Sequence, residues 1–187
     1  MSTNSTSTSR VVAASPDVVY AALLDPEALL QWLPPAQMTG RFHRFDAREG
    51  GGYEMSLYYP ADEKIWQGKT NEREDRVLVR FVELRPGRRI VDAITFATDD
   101  PAFQGEMHRV TTLEPVPEGT KVTMDFENLP PGLRPEDNAE GARISLDQLA
   151  SWLASGNRPD TFARDPETTP KMLRSRPVDG RPGSISV

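Results

Sequence analysis

The spacing of apolar positions changes character along this chain, and the changes mark its elements. Residues 10–14, RVVAA, are short and β-branched and predict a first strand. Ser15-Pro16-Asp17 then reads as a helix start: Ser caps, Pro suits the first turn and Asp complements the positive helix end. The helix predicted over about 16–24 carries Val19, Tyr20, Leu23 and Leu24 at helical spacing. Asp25-Pro26-Glu27 repeats the signal and opens a second short helix that ends near Leu33, before Pro34-Pro35.

From about residue 38 the period becomes two. Residues 38–46 predict a strand, Gly50-Gly51-Gly52 a turn, and YEMSLYY the returning partner, with Tyr53, Met55 and Leu57 on one face. PADEKIWQGKTNERED reads as a loop around Trp66, and strands follow at 77–84 and 89–97 about the Pro86-Gly87 turn. After the Asp99-Asp100-Pro101 loop, GEMHRVTTLEPV and TKVTMDFENL predict a last hairpin about Glu118-Gly119. Six or seven antiparallel strands without alternating helices define an α+β domain built on a curved antiparallel sheet. Such a sheet needs a cover. Pro130-Pro131-Gly132 turns the chain away, and residues 135–154 predict one helix with Ala139, Ala142, Leu146, Leu149 and Leu153 on one stripe. That helix is expected across the concave face of the sheet.

Composition narrows the function classes. A net charge of -6 and a pI near 5 argue against nucleic acid and anionic membrane surfaces as partners. No run approaches the roughly 20 apolar residues of a membrane span. The chain has no cysteine, so disulfide and thiolate chemistry are out. MSTNSTSTSR lacks the apolar core of a secretory signal, and a cytoplasmic protein is expected. The expected organisation is a flexible tail over 1–9, one domain over 10–155, and an extended or disordered tail over 156–187. The alternative for the last segment is docking through Phe162 and Met172-Leu173.

Four stretches in order carry a family resemblance: VVAASPDVVYAALLDPEALLQWLPP (11–35), VRFVELRPGRRIV (79–91), FATDDPAFQGEM (96–107) and GARISLDQLASWL (141–153). Over residues 10–155 the chain resembles the START-like or SRPBCC superfamily with its helix-grip fold. It is most similar to the branch related to the activator of Hsp90 ATPase homologue. The resemblance implies a deep cavity between sheet and helix for a small hydrophobic or aromatic ligand. Superfamily members include lipid and hormone carriers, polyketide cyclases and co-chaperone domains, so the fold is implied better than the function.

The candidate chemistry is sparse. GKT at 68–70 lacks the preceding glycine of a phosphate loop, since position 63 is Glu. His43 and His108 lie on different strands with no third His or Cys, which disfavours a zinc site, and no nucleophile elbow accompanies any serine. In GEMHRVTTL both faces carry polar groups: either Met107, Arg109, Thr111 and Leu113 face inward, or Glu106, His108 and Val110 do. An inward Arg109 would call for a carboxylate- or phenolate-bearing ligand, or for an internal pair with Asp92 or Glu106. The candidate ligand-binding set is Trp32, Tyr53, Met55, Trp66, Phe81, Phe96, Met107, Arg109 and Leu146. Binding without catalysis, metal or cofactor is the first reading. A cyclase- or hydrolase-like enzyme using Asp92, Glu106 or His108 is the second, and a co-chaperone-like module stimulating an Hsp90-type ATPase the third. Open sheet edges make a homodimer a candidate assembly.

Overall fold

The structure, a computed structural model, describes residues 4–62 and 68–159. Trp66, Phe162 and Met172-Leu173 lie outside the described residues, as does most of the segment read as a C-terminal tail. The chain runs β1 (Thr6–Val12), α1 (Pro16–Ala22), α2 (Pro26–Trp32), β2 (Thr39–Asp46), β3 (Gly52–Tyr58), β4 (Glu74–Arg85), β5 (Arg89–Phe96), β6 (Met107–Val116), β7 (Gly119–Glu127) and α3 (Pro135–Ala154). The seven strands form one sheet in the order β1-β7-β6-β5-β4-β3-β2, every neighbour antiparallel.

The helix signals act as read. Ser15 Oγ accepts from the Val18 N–H at 3.5 Å, and Asp25 Oδ1 accepts from Glu27 and Ala28 at 2.9 and 3.2 Å. Leu146, Leu149 and Leu153 of α3 are buried in the single core cluster with Ala142. The turn before α3 is held by the Gly132 N–H, which donates to Ala102 O at 2.6 Å. This anchors the chain to the loop between β5 and β6 as it leaves the sheet.

The first strand differs from expectation. It begins at Thr6, inside the stretch read as a flexible tail, and pairs with β7 from Thr6↔Phe126 to Val12↔Thr120. Asn4 donates to Leu129 O, and Thr6 Oγ1 donates to Asn138 Oδ1 at 2.5 Å. The residues are hydroxyl-rich rather than apolar because only Val12 of the strand is fully buried, so hydropathy alone hides the pairing.

α3 also completes α2. Gln148 Nε2 donates to Trp32 O and Pro34 O at 2.8 and 2.7 Å, and Ser145 Oγ donates to Leu33 O at 2.7 Å. The Trp32 carbonyl is among those a helix leaves without partners at its C-terminal end, and Leu33 and Pro34 follow directly after it. At the β2–β3 turn Gly52 has φ +148°, and a Cβ there would run into the Val79 carbonyl across the sheet. Only glycine fits that position.

Candidate functional site

On the concave face one cross-strand row reads Phe81 (β4), Asp92 (β5), Arg109 (β6), Phe126 (β7). The ambiguity of β6 is thereby resolved: Met107, Arg109, Thr111 and Leu113 face inward, while Glu106 and His108 face out. Arg109 Nε donates to Asp92 Oδ2 at 2.7 Å, and Nη2 makes an ion-pair contact with the same oxygen at 2.5 Å. Nη2 also reaches Tyr53 Oη at 3.5 Å. Both arginine contacts fall on the same carboxylate oxygen, and among the described residues no group donates to the buried Asp92 Oδ1. The Asp92 side chain has no exposure and that of Arg109 retains 13%.

Burial sets the electrostatics here. It pushes the Asp92 carboxyl above its ordinary range despite the Arg109 charge beside it. Burial likewise raises the Tyr53 phenol, against the opposing pull of Arg109. Burial opposes the charge on Arg109, but Asp92 and Tyr53 outweigh it and keep the guanidinium protonated. The pair is therefore a formally neutral polar unit in an apolar surround.

That surround is aromatic. Tyr53 stacks on Phe45 with ring centroids 5.7 Å apart and meets Phe42 and Phe81 edge-on at 5.3 and 5.9 Å. Phe42 and Phe45 both reach this cluster because β2 carries a bulge between Phe42 and Arg44. Strict alternation would send two residues three apart to opposite faces. Sequence reasoning missed both; the available signal was a Phe-x-x-Phe spacing inside a strand of period two.

The predicted set divides accordingly. Tyr53, Met55, Phe81, Met107 and Arg109 come together on the concave face, with Leu146 of α3 in the same core. Trp32 is 1% exposed and its Nε1–H donates to Ala22 O at 3.1 Å, so it joins α2 to α1 rather than bordering an opening. Phe96 is half-buried, packed edge-on to Phe103 and below Lys69 Nζ, 5.4 Å from its ring centroid. Asp92, weighed as an acid or base and as an Arg109 partner, takes the second role.

The remaining candidates lie elsewhere. Glu106 and His108 bond each other at 3.0 Å on the outer face, where the His108 hydrogen bond holds the Glu106 carboxyl below its usual range. The GKT stretch is structural: Lys69 Nζ pairs with buried Asp75 at 2.5 Å and the Thr70 Oγ1 accepts from Arg76 N at 2.8 Å. Buried Ser56 lies between His43 (2.8 Å) and Glu74 (2.5 Å), whereas a catalytic triad places the imidazole in the middle. Among the described residues no three His, Cys, Asp or Glu converge on a metal position. Two open clefts, of about 450 and 280 Å³, lie at the periphery, one beside the β4–β5 turn and Pro16, the other at the β2–β3 turn. Neither lies between sheet and α3, where the resemblance had placed a deep cavity.

A curved seven-stranded antiparallel sheet, two short helices after the first strand and one long final helix define a helix-grip protein of the START-like superfamily. Residues 13–154 match the family model described as Activator of Hsp90 ATPase homolog 1-like protein, and the chain belongs to that family. Protein CV1439 from Chromobacterium violaceum is similar at 34% identity, covering 79% of this chain and 95% of its own, with a TM-score of 0.70. The AHSA1 protein from Silicibacter pomeroyi shares the fold at 20% identity, covering 82% of this chain and 99% of its own, with a TM-score of 0.63. Protein Ms6760 from Mycobacterium smegmatis does so at 17% identity and a TM-score of 0.66, over 83% of this chain and 94% of its own. No curated protein matches the sequence. No helix among the described residues is long and apolar enough to cross a membrane.

Proposed function

We propose that this chain binds a small hydrophobic or aromatic molecule between its sheet and α3, against Tyr53, Met55, Phe81, Met107 and Arg109. The observation that carries the reading is the Asp92–Arg109–Tyr53 unit, buried in an aromatic and methionine surround. Stability does not require it, because apolar residues of similar volume in place of a buried ion pair are often neutral or stabilising. A polar unit kept at that cost suits recognition of a partly polar guest. Room for the guest comes from Met55, Met107 and Met124, whose unbranched side chains repack readily.

The enzyme reading has less support, since of Asp92, Glu106 and His108 only Asp92 faces inward, and it is held by Arg109. A co-chaperone role draws on the family's description alone; Val11 and Val82 are the large apolar side chains exposed among the described residues. The reading carries with it a cytoplasmic setting and pairing into a homodimer through edge strands β1 and β2. Native mass spectrometry of freshly purified protein tests it. A co-purifying small molecule, absent from the denatured spectrum, is the expected result, and the same spectrum reports dimers. A clean apo mass, with no saturable binding of any aromatic probe, would sink the reading.

A further inference from the structure

If the interior admits an aromatic guest as proposed above, the polar unit specifies what that guest carries. Arg109 Nε donates to a single oxygen, Asp92 Oδ2, and Nη2 makes its ion-pair contact with that same oxygen. This one-sided pairing differs from the parallel fork in which each carboxylate oxygen takes its own N–H. It leaves the unit with one acceptor and two donors not used between Arg109 and Asp92. The acceptor is Asp92 Oδ1, to which no group among the described residues donates. The donors are Arg109 Nη1, which bonds no other protein group among the described residues, and the Tyr53 hydroxyl, 3.5 Å from Nη2.

We infer that the site selects a neutral hydroxyl, a phenol or alcohol on an apolar frame, in preference to a carboxylate. A hydroxyl donates one hydrogen bond and accepts others, which matches a unit holding both an unpaired acceptor and unspent donors. It satisfies Asp92 Oδ1 with its proton and takes an N–H from Arg109 or the phenolic O–H of Tyr53 on its oxygen. A carboxylate fails on charge and on hydrogen bonding together. The Arg109 charge is already matched by Asp92, so a second anion would be buried without a countercharge. It also brings no proton for Oδ1. The sequence alone left a carboxylate- or phenolate-bearing ligand and an internal pair with Asp92 or Glu106 both open, because the one-sided geometry of the pair is invisible there.

Three probes of one shape at neutral pH separate the outcomes: naphthol, naphthalene and naphthoate, titrated into the full chain and followed by amide NMR shifts. The expected order is naphthol tightest, about tenfold over naphthalene for its added hydrogen bonds, with naphthoate weakest. Tyr53→Phe keeps the ring and removes one donor; it weakens naphthol severalfold and leaves naphthalene unchanged. Asp92→Asn strips the countercharge from Arg109 and moves the preference toward naphthoate. Should that variant fail to fold, Tyr53→Phe and the probe order still decide. Naphthoate binding tightest to the unaltered chain overturns the hydroxyl assignment and leaves the cavity reading standing. Equal binding of naphthol and naphthalene, indifferent to Tyr53→Phe, does the same. Saturation by none of the three removes both.

Discussion

Asp92 and Arg109 oppose each other in register, between Phe81 on one side and Phe126 on the other. Removing one partner of such a pair costs about 3–5 kcal/mol, because an uncompensated charge stays buried, while exchanging both for apolar residues costs little or stabilises. The double variant Asp92→Leu/Arg109→Met is therefore expected to match or exceed the original stability in urea titrations, and either single variant to fall well below it. Asp92 also leaves a pH signature. Burial raises its carboxyl above the ordinary 3.8, so the folded chain holds this proton more tightly than the unfolded chain. Its contribution to stability is largest at low pH, falls as pH rises from that ordinary value through the raised one, and then levels off. Glu106 and Glu140, both lowered by hydrogen bonds to His108 and Arg143, act in the opposite sense and are common to both proteins compared. The unfolding free energy of the original chain relative to Asp92→Asn should thus decline over that window. A difference that stays flat with pH would mean the carboxyl is not raised.

Hydrogen bonds between elements fix the helices to one another. Gln148 alone supplies donors to two backbone carbonyls at the end of α2. Gln148→Leu keeps most of the bulk and leaves both carbonyls without those donors, for an expected loss of about 1–3 kcal/mol. Chemical denaturation measures it, and a loss near zero would show that water replaces the amide. Elements such as these were largely legible in the sequence, because Pro, Ser and Asp punctuate helix starts by local chemistry. The final helix was read at its observed bounds, Pro135–Ala154. What escaped was set by partners rather than by local sequence. β1 pairs along its whole length yet buries only its last residue, so no apolar alternation announces it. Bulges in β2 and β4 shift the faces on which later residues fall, which brings Phe45 and Leu84 to the core side. β6 has polar groups on both faces, and only the neighbouring Asp92 decides which of them turns inward.

At the scale of the molecule, the first and last strands are joined. β1 closes the sheet on β7 and meets α3 through Thr6–Asn138 and Arg10–Asp147. A chain lacking residues 1–9 would lose most of that edge. Its thermal midpoint is expected to drop by about 4–12 °C, taking ~2–3 kcal/mol lost and ~2–4 °C for each kcal/mol. An unchanged midpoint in a melting curve would return those residues to the status of a tail.

The β1–β7 seam also sets a clock on biosynthesis. Thr6 bonds into a ladder opposite Phe126, 120 positions further on (126 − 6). At ~5–20 residues per second, roughly 6–24 s separate the emergence of the two from the ribosome. During that interval the first strand has no mate, and the carbonyls at the end of α2 wait almost as long for Gln148, 116 and 114 positions on. The decisive step of folding thus waits for β7 to be made, and its non-local pairing predicts milliseconds to seconds for that step. The threonines and serines of TSTSR then gain a second meaning. A strand that must linger unpaired is kept poor in apolar side chains, and so offers little for another nascent chain to adhere to.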